Sequence, residues 1–165
     1  MVSHEANRRG GGDMKPPELV QQAAGLLRAR FDLNEYNPTP IVDLGALVAN
    51  ADGTVDAEEI DALRQLIEPM LGAQLNVELV RYLIEASLKV IAAAGVEPRV
   101  RLLAEILMDC DAVEEGIIIA LAVAHASEGI SDAERAVIES LARAAELPAR
   151  RLDQLNEQVR AAFAT

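Results

Sequence analysis

The sequence predicts an all-α fold, and three observations carry that reading. Apolar residues recur at three- and four-residue spacing in eight stretches, and no stretch alternates with period two. The chain is 51% apolar, yet its aromatic side chains are only Phe31, Tyr36, Tyr82 and Phe163, so the core must be built from Leu, Ile, Val and Ala, which favours packed helices over sheets. A length of 165 residues suits one domain with a substantial core.

The elements follow in order. Pro16-Pro17 opens a first helix with Leu19, Ala23, Leu26, Leu27 and Phe31 on one side. Asn34 to Pro40 breaks the chain. A second helix, about Ile41 to Asn50, stops at Asp52-Gly53, where glycine can take a positive φ. The third starts at Asp56, which forms a capping box with Glu59, and carries Ile60, Leu63, Leu66 and Ile67 until Pro69 ends or kinks it. Asn76 caps a long fourth helix with Val80, Leu83, Ile84, Leu88 and Ile91 on one face, closed by Gly95 and expected to span the middle of the bundle. A fifth follows Pro98 with Val100, Leu103, Ile106, Leu107 and Cys110. Asp111 is expected to cap the sixth, whose apolar run Gly116 to Ala124 is too short for the roughly 20 residues of a membrane span and reads as a helix buried on all sides. Gly129 ends it. Ser131 and Glu134 form a second capping box, opening a seventh helix lined by Ile138, Leu141 and Ala145. The eighth follows Pro148, with Leu152, Leu155, Val159 and Phe163 as its stripe.

Two of these turns are the same turn. Ala49 to Glu59 is matched, shifted by 75 residues, by Ala124 to Glu134, and the agreement continues outward in register: Val48 with Val123, Val55 with Ile130, Leu63 with Ile138, Leu66 with Leu141. A duplicated helix-turn-helix unit is the expectation, with the two copies folding alike about a pseudo-symmetry axis. Residues 1–15, with Gly10-Gly11-Gly12 and no apolar run, read as a disordered leader, Met14 offering a second start, and residues 16–165 as a single helical domain. Arg8-Arg9 is not followed by the hydrophobic region of an export signal.

A net charge of −12 repels phosphate backbones and attracts cations or basic protein surfaces, so nucleic acid is excluded as a partner. The lone Cys110 forms no intramolecular disulfide, suits a cytoplasmic setting, and is expected to be a small buried hydrophobe. No catalytic site assembles from the residues available. His125 is the one histidine outside the leader and is expected to be structural, no Glu-x-x-His pair occurs, and no glycine-rich phosphate motif is present.

The chemistry therefore concentrates in the acidic turns. As a calcium loop, Val48 to Glu59 places Asn50, Asp52, Gly53, Asp56 and Glu59 at ligand or turn positions, but Val48 stands where the first carboxylate belongs, and the second copy has His125 at position three and Glu128 in place of the glycine. A degenerate, calcium-responsive EF-hand is the alternative reading. The other is that Asp56, Glu59, Ser131 and Glu134 stop and start helices, while Asp52 and Glu128, outside the caps, present carboxylates outward. The candidate set for a metal or a basic partner is Asp52, Asp56, Glu59, Glu128 and Glu134. The sequence fixes no cofactor beyond a divalent cation these carboxylates would attract.

Ala51-Asp52-Gly53-Thr54-Val55-Asp56-Ala57-Glu58-Glu59 resembles the hallmark of the TerB-like tellurite-resistance family. Leu102-Leu103-Ala104-Glu105 leading to Ile130-Ser131-Asp132-Ala133-Glu134 is similar to the family's second half. The resemblance covers roughly residues 17 to 163. It implies a small all-helical bacterial domain, linked to tellurite and general stress resistance, that takes part in membrane-associated complexes through a protein partner and has acidic residues suspected of metal contact. By position these are Asp52, Glu59 and Glu134. The chain departs from the pattern at Ala126-Ser127-Glu128-Gly129, where the second aspartate is replaced and Glu128 restores a carboxylate one residue later.

Overall fold

The computed structural model describes residues 16–53, 55–72, 76–126 and 129–164. Eight α-helices form among them and no strand: α1 Glu18–Leu33, α2 Thr39–Ala49, α3 Ala57–Ile67, α4 Val77–Ala94, α5 Val96–Asp109, α6 Val113–Ala126, α7 Asp132–Ala144 and α8 Ala149–Ala164. The expected leader, residues 1–15, lies outside the described residues, as do Ser127 and Glu128.

Helix α6 occupies the centre. Every residue from Gly116 to Ala124 is buried, as a helix apolar on all sides requires, and α1, α2 and α8 pack around it. Helix α2 is nearly as enclosed, packing on both α4 and α6, with Ile41, Leu44, Leu47 and Val48 fully buried. Two glycines permit the closest approaches. A Cβ on Gly116 would stand 2.5 Å from Leu107 Cδ1 and 2.6 Å from its Cδ2, and one on Gly45 would stand 2.5 Å from Ile67 Cδ1. Helix α5 therefore presses on α6, and α3 on α2, at backbone distance.

Several boundaries and faces correct the sequence expectation. The long α4 lies at the edge of the bundle rather than its middle, because Glu78, Arg81, Glu85 and Lys89 form a charged side that must stay in water, whereas α6 has no such side across its apolar run. In α1 the buried row is Val20, Ala23, Ala24, Leu27 and Phe31, and Leu26 is 55% exposed. Helix α2 begins at Thr39, taking Pro40 into its first turn, where the missing N–H has no intrahelical partner to lose. For the same reason α5 begins at Val96 and carries Pro98 within its first turn.

Asp111 does not cap α6. It serves the helix before it, adopting φ 53° just past the end of α5, while Ala112 N donates to Leu107 O at 2.9 Å and Asp111 N to Met108 O at 3.1 Å. Glu35 and Glu146, with φ 64° and 63°, close α1 and α7 in the same way. Pro69 ends α3 as expected, leaving one 3₁₀ turn at Glu68–Leu71.

Candidate functional site

Both expected capping boxes are formed. In the first, Asp56 Oδ1 accepts from Glu59 N and Glu59 Oε1 accepts from Asp56 N, each at 2.8 Å. In the second, Ser131 Oγ accepts from Glu134 N at 3.1 Å and Glu134 Oε1 accepts from Ser131 N at 2.9 Å. The cap backbones agree closely, φ −86° and ψ 178° at Asp56 against φ −80° and ψ 166° at Ser131, and the preceding glycines have φ 108° and 97°. The approach to the first box is a single 3₁₀ turn, Asn50–Asp52, closed by a bond from Gly53 N to Asn50 O.

Tertiary packing then brings the two turns together. A cleft of about 210 Å³ has Asp52, Glu59 and Glu134 at its polar edge and Leu63, Leu66 and Val123 beneath them. Ser131 Oγ also reaches Asp52 Oδ1 at 3.5 Å, so the cap of α7 touches the turn that precedes α3. Three of the five candidate carboxylates, Asp52, Glu59 and Glu134, thus share one site. Asp56 is exposed and held in its cap outside the cleft, and Glu128 falls outside the described residues. Two members had no functional signal in the sequence. Gln65 reads as a helix-surface residue and Ser131 as a plain cap, and only the packing shows the first in the cleft wall and the second bridging the turns.

The electrostatics are those of an acidic rim on an apolar floor. Glu59 and Glu134 sit in the first turns of α3 and α7, where the unpaired N–H groups and the positive end of each helix offset their mutual repulsion. Each glutamate commits one oxygen to its cap, and a carboxylate retains further acceptor capacity for a ligand. A resident metal fits less well. Among the described residues no three His, Cys, Asp or Glu side chains lie close enough to hold an ion. Glu59, the last position of the calcium-loop frame, is the residue the capping box uses.

The residues weighed for nucleophilic chemistry are placed elsewhere. Cys110 is 1% exposed, and burial together with the neighbouring Asp109 carboxylate pushes its thiol pKa up, which suppresses the thiolate. His125 is half-buried on α6, its Nε2 2.7 Å from Asn156 Oδ1 and its ring stacked on Phe163.

The model of the family described as tellurite resistance protein TerB matches residues 39–157. The chain belongs to the TerB family. The matched span takes in both capping boxes and all three carboxylates of the cleft. It begins at the first residue of α2, so α1, which packs on α6, lies outside the TerB match. Neither a curated protein nor a solved structure matches the chain. No helix among the described residues is long and apolar enough to cross a membrane.

Proposed function

We propose that this TerB-family protein is a non-enzymatic acidic docking module in a bacterial, cytoplasmic response to tellurite or general stress, and that the cleft between its two turns receives a basic segment of a partner protein. The observation that carries the proposal is the convergence of Asp52, Glu59 and Glu134 above Leu63, Leu66 and Val123. A lysine or arginine contributes both parts of the match, since its aliphatic stem covers apolar surface while its charged head meets carboxylates. The net charge of −12 adds a long-range field that speeds encounter with such a partner. A guanidinium or ammonium group needs only that rim, whereas a divalent cation needs ligands converging on a point, which favours a protein partner over a metal. A partner in a membrane-associated complex agrees with the family's association.

Titration with a labelled Arg/Leu-containing peptide, followed by fluorescence anisotropy in low and high salt, tests this reading. Saturable binding that weakens with salt and falls at least roughly tenfold in Asp52→Asn/Glu134→Gln is the expected result. Binding untouched by the double substitution would reject the cleft. Heat released on adding calcium, zinc or manganese, abolished by Asp52→Asn, would replace the peptide with a cation.

A further inference from the structure

The acidic cleft is lined by acceptors, with no lysine, arginine or histidine among its described residues. Asp52, Glu59 and Glu134 take part in no ion pair among the described residues. The two caps use Glu59 Oε1 and Glu134 Oε1, and Ser131 meets Asp52 Oδ1, so the second oxygen of each carboxylate is left for a ligand. The fourth polar side chain of the wall is Gln65, one helical turn beyond Asp61 on α3. Gln65 Nε2 donates to Asp61 Oδ2 at 3.4 Å. A carboxylate only accepts, so this contact sets which end of the amide faces Asp61 and makes Oε1 the free end.

Asp61 is itself held in place. Its Oδ1 accepts from Arg64 Nε at 3.2 Å and Nη2 at 3.0 Å, and Arg81 Nη1 of α4 lies 3.5 Å away. Among the described residues, Arg99 Nε alone is a buried side-chain polar atom without a partner, so Gln65 Oε1, which accepts from no described donor, is open to solvent. The free acceptors do not converge on a point, since no three His, Cys, Asp or Glu side chains of the described residues lie close enough to hold one ion. An ammonium has its three donors on a single atom and needs acceptors gathered around it, whereas a guanidinium spreads five N–H groups over a rigid planar fork. The guanidinium is also the more weakly hydrated cation, so it loses less on entering a cleft floored by Leu63, Leu66 and Val123. A volume of about 210 Å³ falls below that of a drug-sized pocket and suits one long side chain.

We propose that the cleft is an arginine pocket with Gln65 as its specificity-determining residue, an inference that rests on the docking role described above. A single arginine of the partner lays its stem on the apolar floor and donates both to the rim carboxylates and to Gln65 Oε1. Lysine meets the same carboxylates as a point charge and cannot reach the amide oxygen at the same time. Asp61 is a positioning residue. It does not touch the ligand and acts by holding the nitrogen end of the Gln65 amide.

The test titrates the full chain with two labelled Leu-containing peptides that differ only in carrying one arginine or one lysine, followed by fluorescence anisotropy. The arginine peptide is expected to bind roughly tenfold more tightly. Gln65→Met, similar in length but without an acceptor, should weaken the arginine peptide several-fold and leave the lysine peptide unchanged, so the two affinities draw together. Asp61→Asn, whose amide can face either end of Gln65, should narrow the ratio as well. Neither Gln65 nor Asp61 is buried, and unchanged helical circular dichroism checks that both variants fold. Equal affinity for the two peptides, both weakened by Asp52→Asn/Glu134→Gln, overturns the arginine pocket and leaves the docking cleft standing. An equal loss of both peptides in Gln65→Met, or no loss of either, overturns the role of Gln65. Absence of saturable binding by either peptide overturns the pocket and the docking role together.

Discussion

Ser131 donates its hydroxyl to Asp52 across 79 residues of sequence, at 3.5 Å. Helix α3 is capped by an aspartate, Asp56, and α7 by this serine. Only the hydroxyl can both accept from the helix and donate to a carboxylate opposite. Ser131→Ala should cost about 1 kcal/mol in urea unfolding, the usual loss for a helix cap. Ser131→Asp keeps a cap but sets two carboxylates face to face, so at neutral pH it should be less stable than the natural chain. Equal stability of the two would mean that the contact with Asp52 contributes nothing.

Gly116→Ala should destabilise more than Gly45→Ala. Both gain helix propensity, by about 1 kcal/mol. At Gly116 the new methyl meets both methyls of the fully buried Leu107, so the leucine must leave its rotamer, at a cost of roughly 1 to 3 kcal/mol. At Gly45 only the tip of Ile67 stands closer than 3.0 Å, and one torsion can clear it. Thermal unfolding of the two variants orders them, and the reverse order would refute the packing account.

Glu114 and Arg151 tie the start of α6 to α8 through two bonds of 2.8 Å, Arg151 Nε and Nη2 each donating to one carboxylate oxygen. The Arg151 hydrogen bonds hold the Glu114 carboxyl pKa below its ordinary value of 4.5. A carboxylate with a lowered folded pKa contributes stability that is fully present above 4.5 and is lost as pH falls through the lowered value. Glu114→Gln should therefore reduce stability at pH 7 and flatten the decline below pH 4.5, measured by urea titration at stepped pH. A parallel curve for the variant would show that the pair is not coupled to folding.

The three helix ends closed by acidic residues carry backbone strain that glycine would release. Glu146→Gly, at φ 63°, should raise stability by about 0.5 to 1 kcal/mol, the relief of a side chain held in left-handed backbone less the added entropy of the unfolded chain. Gly129→Ala, at φ 97° with nothing within 4 Å of the added Cβ, should lower stability through backbone strain alone. Unfolding midpoints of the pair check both signs together.

Much of this was legible in the residues because helix chemistry is local. A capping box needs only residues three apart, a proline stops a helix at its own position, and the apolar run Gly116 to Ala124 declares a buried helix wherever it lies. The errors share a different cause. Leu26 is as apolar as Leu27, and nothing in the local pattern says which of the two α6 will meet. The length of α4 suggested a central helix, but competition for the centre was settled by α6, which has fewer charges to solvate. Asp111 has the chemistry of a cap and the place of a helix end, and the short link between α5 and α6 gave it the latter role.

The sequence alone determined the all-α class, the two capping boxes, the family and the residue types of the acidic turns, since each depends on neighbours within about one helical turn. Tertiary structure alone decided that Asp52, Glu59 and Glu134 line one cleft while Asp56 does not, that Ser131 bridges the two turns, and that α6 rather than α4 takes the centre. Those outcomes depend on how helices far apart in the chain divide a limited interior among themselves, a contest set by close packing and by the cost of burying charge.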